Sequence, residues 1–196
     1  MEETSGSFRT FVADITTTRY TAILDTFDPP EDGEFSFKRA DDGTALIRWE
    51  IVRPGTRILT IQRDEALLYQ PKLKSAQRYK LGSNKDKAEY LALGIGQSPT
   101  DLKKTYDITY GGSENVRGAP CSILELKPKD PKAAAMFSSI TIWIKHSTGV
   151  STRMKLVEPF ADCLLIDFSN ERLNTQVDDS QFRQDLPAGV DMLRIN

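Results

Sequence analysis

Apolar residues in this chain recur at alternate positions of short segments, the period of a strand with one side buried. Phe35, Phe37 and Arg39 share a face of the first such segment, FSFKR. In ALIRWEIV, Ile47, Trp49 and Ile51 share a face opposite Arg48 and Glu50, and in SITIWIK the residues Ile140, Ile142 and Ile144 form a third row. Rows of this kind predict a large curved antiparallel sheet with an apolar concave side. Turn chemistry sets the ends of the strands. The first long run, Ile15 to Phe27, stops at Asp28-Pro29-Pro30-Glu31-Asp32-Gly33, and the second stops at Asp41-Asp42-Gly43. The third reaches Arg53-Pro54-Gly55, where proline has no donor for a ladder. Thr56 to Ile61 and Ala66 to Gln70 follow, joined across Arg63-Asp64, so five strands read as an antiparallel meander.

The period then changes. Ser83-Asn84 caps a helix predicted from Lys85 to Leu93, with Ala88, Leu91 and Ala92 at helical spacing and Gly94 to stop it. Ser98-Pro99 starts a second helix with Leu102 and Tyr106 on one side, and Asp130-Pro131 starts a very short third one through Phe137. Helices this short need an apolar surface to dock on, and the open side of the sheet supplies it. Strands resume near Asp107 to Tyr110, Cys121 to Lys127, Ser139 to Lys145, Val150 to Val157 and Leu164 to Phe168. The reading is therefore α+β: at least eight antiparallel strands in one curved sheet with short helices across it. No internal repeat and no Gly/Ser-rich linker divides the 196 residues, so one domain is expected over 1–196. Parity places Phe35, Phe37, Ile47, Trp49, Ile51, Leu59, Ile61, Ile140, Ile142, Ile144, Met154 and Leu156 on the concave side or in its packing core.

Charge and composition narrow the function. The 26 basic and 28 acidic residues interleave to a formal charge of -2, without the basic stripe that phosphate backbones demand, so nucleic acid is not an expected partner. No apolar stretch approaches the roughly 20 residues needed to span a bilayer. The opening MEETSGSFRTF has neither the basic nor the apolar region of a signal peptide, which taken literally reads as cytoplasmic. Catalytic equipment is sparse. His146 has no second histidine or cysteine near it to build a metal site and reads as an exposed turn residue. Gly94-Ile95-Gly96 follows a helix and lacks the third glycine of a dinucleotide fingerprint. Asp178 and Asp179 are adjacent, point apart if extended, and read as a solvated loop. No serine sits in a Gly-x-Ser-x-Gly elbow. A binding protein is expected rather than an enzyme, with no metal and no cofactor. Cys121 and Cys163 either pair in an oxidising compartment or serve as two small strand hydrophobes. The aromatics Phe35, Phe37, Trp49, Trp143, Tyr20 and Tyr69 either line a cavity or fill the core of a closed barrel or sandwich.

An ordered set of segments carries a resemblance. FSFKR after a glycine, IRWEIVRPG, ALLYQPK, the interior stretch YLALGIGQSPTDLKKTY, and an ending of Asn174, Asp178, Asp179, Phe182, Leu186, Pro187, Gly189, Val190 and Asp191 together resemble the LolA-type outer-membrane lipoprotein carriers and lipoprotein-sorting proteins. The likeness runs from about Ile15 to Leu193. It implies an incomplete, half-open antiparallel barrel with helices as a lid over an apolar cavity, which receives the acyl chains of lipoproteins crossing the periplasm. It also implies a monomer without enzymatic activity, with an inner-membrane release complex and an outer-membrane acceptor as partners. The family's lid-holding arginine, apolar residue and tryptophan match Arg39, Ile47 and Trp49, with extra residues here around Asp41-Asp42-Gly43. Arg39 ends an apolar row, so its guanidinium finds lid carbonyls, a carboxylate or water, or else it reaches out toward the Asp41-Asp42 turn. Two functions stay open: a carrier that moves lipidated protein or free lipid between membranes, and a non-transport lipid or lipoprotein sensing module of the same fold.

Overall fold

A computed structural model of the chain describes residues 8–81, 93, 95 and 99–195. The helix expected over Lys85 to Leu93 and its Ser83-Asn84 cap lie outside the described residues, apart from Leu93. The strands are β1 (Thr10–Thr21), β2 (Thr26–Phe27), β3 (Glu31–Arg39), β4 (Ala45–Arg53), β5 (Arg57–Gln62), β6 (Glu65–Gln70), β7 (Ser75–Lys80), β8 (Tyr106–Val116), β9 (Ala119–Pro128), β10 (Ser139–Lys145), β11 (Ser151–Val157), β12 (Cys163–Leu173) and β13 (Asp191–Ile195). Two short helices are described, α1 (Pro99–Thr105) and α2 (Pro131–Ala134). Hydrogen bonding orders the strands β13-β7-β6-β5-β4-β3-β1-β12-β11-β10-β9-β8, with β2 paired to β1. The order does not close on itself, so the sheet is open. The chain forms two compact units, and β1 and β12 run through both.

The meander unit comprises Arg9–Ile15, Glu31–Leu91 and Asn170–Asn196. Strands β3 to β7 pair antiparallel in sequence, and the three turns from β3 to β6 fall at polar breaks read from the chain, whereas the turn over residues 71–74 into β7 is not among them. At the β3–β4 turn Gly43 has φ +82, a conformation that glycine adopts without penalty. At Gly33, where β3 bulges against β4, an added Cβ would stand 1.9 Å from the Glu50 carbonyl oxygen, so the backbones meet too closely for any side chain. Two elements escape the sequence reading. β7 is a polar run, SAQRYK, and β13 is exposed along its whole length. β13 also pairs with β7 in parallel, the one exception to the antiparallel rule among the described ladders.

Residues 174–187 form a strap over one side of this sheet. It starts where Asn174 N–H donates to the Thr10 carbonyl, the Asn174 side chain accepts from Arg9 N–H, and the Thr10 hydroxyl donates to the Thr175 carbonyl. Lys38 Nζ then donates to the Val177 carbonyl at 2.7 Å and pairs with Asp179 at 2.6 Å. Phe182 is fully buried, in a cluster with Val12, Leu46 and Val177, and its carbonyl accepts from Gln62 Nε2. Gln184 Nε2 reaches the Ile58 carbonyl, the Thr60 hydroxyl and the Leu67 carbonyl at 3.2, 3.0 and 2.9 Å. Asp178 and Asp179 do point apart, Asp178 toward Ser180 N–H and Asp179 toward Lys38.

The second unit holds Thr16–Pro30 and Ala92–Ser169 with the N-terminal residues to Phe8. Here β8 to β12 pair antiparallel in sequence. Ile140 stands between Leu126 and Leu156, and Ile142 between Leu124 and Met154, which continues to Ile166. The Ile140, Ile142, Met154, Leu126, Ile166 and Phe168 side chains are all buried. Leu102 on α1 and Tyr106 beside it are buried, as the one-sided spacing predicts. Asp130 caps α2 by accepting from Lys132 N–H at 2.8 Å. Cys121 and Cys163 are buried free thiols.

Candidate functional site

The antiparallel register turns the parity argument into neighbours, because directly opposed residues share a face. In the meander unit Phe35 opposes Trp49, which opposes Leu59, and Phe37 opposes Ile47, which opposes Ile61. Ile51 stands opposite Gly33 on β3, and Leu68 and Ala66 on β6 extend the row past Leu59 and Ile61. The seven predicted residues of this unit therefore form one continuous apolar face. Phe35, Phe37, Ile47, Trp49, Ile51 and Ile61 are buried on it, and Leu59 is half-buried. Rings interlock edge to face: Phe11 against Phe35 at 6.0 Å between centroids, and Phe35 against Trp49 at 5.7 Å. This geometry favours aromatic contact beyond the area it buries. Phe11 lies outside the Ile15 to Phe27 run read from the sequence. Its place in TFVADI, where four successive residues are buried, hides the alternation.

Charged residues mark both ends of the face. Arg39 follows Phe37 on the same side; its guanidinium lies 5.8 Å from the Phe37 ring centroid, and Nη1 donates to the Gly43 carbonyl at 3.3 Å. Arg39 thus reaches the Asp41–Gly43 turn while its carbon in the guanidinium stays over an aromatic face. At the other end Arg57, opposite Ile51, is held by Glu31 at 2.5 Å. Sequence reasoning did not single out Arg57, although its parity with Leu59 and Ile61 put it on this face. Beside Arg39 lies a polar hollow of about 440 Å³, bordered by Arg9, Lys38, Asn174 and Asp179. There Arg9 pairs with Asp41 at 2.8 Å and Lys38 with Asp179.

The other five predicted residues, Ile140, Ile142, Ile144, Met154 and Leu156, share one face of the second unit, and all are buried. The opposite face there is polar: Trp143 Nε1 donates to Glu114 at 2.8 Å, and Arg153 lies 5.8 Å from the Trp143 ring centroid and pairs with Asp167 at 2.7 Å. His146 is exposed, and its Nε2 shares a hydrogen bond with the Ser122 hydroxyl. Among the described residues no group of three or more His, Cys, Asp or Glu side chains could hold a metal ion, and no helix is long and apolar enough to cross a membrane. What these two faces offer chemically is apolar area shielded from water, the environment that long hydrocarbon chains seek.

Comparison with known proteins adds a family to this geometry. Residues 29–185 match the model of the outer membrane lipoprotein carrier protein LolA. The outer-membrane lipoprotein carrier protein of Pseudomonas paraeruginosa is 25% identical over 162 residues, 83% of this chain and 71% of that one. Among solved structures, an uncharacterised conserved protein from Thermus thermophilus aligns with a TM-score of 0.59 at 11% identity, over 97% of this chain and 93% of that one. MucB, in the MucA/MucB complex of Pseudomonas aeruginosa, aligns with a TM-score of 0.51 at 14% identity. That match takes in 90% of this chain but only 56% of the MucB chain, so this chain spans about half of that neighbour's length. With its matched stretch running from the loop before β3 to the end of the strap, the chain belongs to the outer-membrane lipoprotein carrier (LolA) family.

Proposed function

We propose that this protein is a non-enzymatic periplasmic carrier that binds the acyl chains of lipoproteins or other lipids on its apolar faces and moves them toward the outer membrane. The reading takes residues 1–196 as one carrier domain, acting as a monomer between an inner-membrane release complex and an outer-membrane acceptor. The observation that carries it is that the stretch matching the lipoprotein-carrier family, residues 29–185, contains the continuous face of Phe35, Phe37, Ile47, Trp49, Ile51, Leu59 and Ile61.

Burial of that face sets the physics of loading. Phe35, Phe37 and Ile47 are out of contact with solvent, so an acyl chain must displace what covers them. Burying hydrocarbon contributes about 0.8 kcal/mol per methylene, and a fully open apolar face would hold a long chain too tightly to release it. Competition from a covering segment lowers the net affinity by the cost of undocking, which lets cargo move on. Arg39, fixed at the end of the row by Phe37 and Gly43, is among the groups that set this balance.

The test is binding and transfer of an acylated peptide. Trp49→Asp leaves a charge in apolar surroundings; it costs about 3 kcal/mol or more of stability or abolishes acyl binding. Arg39→Leu raises acyl affinity and slows release. A folded Trp49→Asp protein that binds like the parent removes this face from the site. Unchanged affinity and transfer in Arg39→Leu removes Arg39 from the balance. A parent with no acyl binding turns the reading to a lipid-sensing or interaction module.

A further inference from the structure

Four large apolar side chains in the second unit stand almost free of the protein. Ile23 is 90% exposed, Leu24 69%, Phe27 63% and Phe160 91%. Ile23 and Leu24 lie in the β1–β2 connection, Phe27 on the short strand β2 that follows it, and Phe160 in the β11–β12 connection, and the structure ties these two regions together. Ala22 N–H donates to the Asp162 carboxylate at 2.8 Å, and Arg19 pairs with Glu158 at 3.0 Å. Each loop is itself a closed turn. Asp25 N–H returns to the Ala22 carbonyl, Asp28 N–H to the Arg19 carbonyl, Glu158 N–H to the Asp162 carbonyl, and Ala161 N–H to the Glu158 carbonyl. Tyr20 packs on Phe27 at 4.9 Å, and its hydroxyl donates to Asp25 at 2.7 Å. Two neighbouring tips therefore hold Ile23, Leu24 and Phe160 outward in fixed positions, against the usual tendency of apolar side chains to leave water.

The order of chemistry along the tips identifies the surface they fit. Ile23 and Leu24 lie at the turn of the first tip, the Asp25 carboxylate that follows them is held back by the Tyr20 hydroxyl, the paired Tyr20 and Phe27 rings flank the turn, and the Arg19–Glu158 ion pair lies farther along β1. Arg19 precedes the Ala22–Leu24 turn by three strand residues, about 10 Å at the strand rise of roughly 3.3 Å per residue. An apolar layer of about 5–10 Å backed by aromatic and then charged groups is the profile of a segment seated in the interfacial region of a bilayer. Charge selects the lipid: Asp25, Asp28, Glu158 and Asp162 outnumber Arg19 around the tips, so an anionic surface would be repelled.

We infer that the 22–27 and 158–162 loop tips are a docking site for an electrically neutral bilayer surface, seating Ile23, Leu24 and Phe160 among the acyl chains. The proposal goes beyond acyl carriage and does not need it: it concerns where the protein rests, and not what it holds.

The experiment is cosedimentation of the full chain with phosphatidylcholine vesicles, beside the variant Ile23→Ser/Leu24→Ser/Phe160→Ser. These positions are exposed, so the variant should keep the parent's melting curve. The parent is expected to partition onto the vesicles without release by added salt, and without gain when anionic phosphatidylglycerol is included. The variant should partition about tenfold more weakly or less well still, since only apolar area distinguishes it from the parent. Equal partition of parent and variant overturns the proposal, as does no partition by the parent. Binding confined to anionic vesicles and released by salt also overturns it, because charge would then be the cause. Self-association of the parent that the variant abolishes assigns the tips to a second copy instead. A parent that binds acylated peptide in solution but ignores vesicles refutes the docking site and leaves the carrier reading intact.

Discussion

On the side of the meander unit opposite its apolar row, Leu46, Thr60 and Leu67 are buried beneath the strap. In the second unit the corresponding side carries Trp143, Glu114, Arg153 and Asp167 in a chain of polar contacts that stays partly exposed. Both units were read from the same alternation of apolar and polar positions. Alternation identifies the face that must leave water, but it does not determine what becomes of the other face. In the meander unit polar positions are the strap's attachment points: Lys38, Arg48, Gln62 and Thr60 meet the Val177, Gln181 and Phe182 carbonyls and the Gln184 amide. In the second unit similar residues satisfy one another across the strands of their own face. A two-faced sheet core in one unit and a one-faced core in the other are therefore built from nearly the same pattern.

Truncation at the strap's anchor is expected to break this contrast most strongly. Phe182→Ala should cost about 3–5 kcal/mol in urea unfolding, because a fully buried ring leaves a cavity among Val12, Leu46 and Val177. Trp143→Ala on the second unit's polar face should cost clearly less, since that side chain is only half-buried. Equal costs would mean that the two faces are packed alike.

Gln184→Ala sharpens the comparison at the level of hydrogen bonds. Its Nε2 serves three acceptors on β5 and β6, so the loss should be about 1–3 kcal/mol, with faster hydrogen exchange along residues 174–187. A loss confined to the strap's own exchange, with global stability unchanged, would show that the strap opens independently of the sheet.

The sequence makes one half of this picture legible and conceals the other for physical reasons. Strong alternation in ALIRWEIV and SITIWIK places β4 and β10 to within a residue or so, while FSFKR marks only the second half of β3, whose first residues, Glu31 to Gly33, read as a loop because they are polar; the apolar rows of all three share faces as read. β7 and β13 carry no such signal: SAQRYK is mostly polar and DMLRI is wholly exposed, so their pairing comes from backbone hydrogen bonds that leave no mark on composition. The strap is visible only through its family-like motif of Asn174, Asp178, Asp179 and Phe182. An irregular segment has no period, and its burial depends on a sheet assembled more than 100 residues earlier in the chain, as the Gln184–Leu67 bond shows by its separation of 117. Ile23 and Leu24 were similarly hidden inside the Ile15 to Phe27 run, because an apolar residue at a turn reads as strand when its surroundings are unknown, and Phe160 falls between two strands where no period marks it.

The smallest expected effect is electrostatic. Hydrogen bonds from the Ser180 hydroxyl and N–H hold the Asp178 carboxyl below the usual carboxylate range, with Lys38 adding to the shift. A group depressed in the folded state contributes stability above its unfolded value of about 4, and that contribution disappears as pH falls through the lower folded value. The stability difference between the parent and Asp178→Asn should therefore be greatest above about pH 4 and shrink as the solution is acidified. A difference that stays constant through that window would assign Asp178 a role independent of its charge.

The central claim is that apolar faces built by Phe35, Phe37, Ile47, Trp49 and their neighbours hold acyl chains. Native mass spectrometry of gently purified protein tests this most directly, followed by titration with an acylated peptide. The account predicts adducts at lipid or acyl-peptide masses on the parent, at a stoichiometry that Trp49→Asp reduces or abolishes. A bare parent protein that gains no adduct at any peptide concentration, while retaining its folded charge-state distribution, would contradict it.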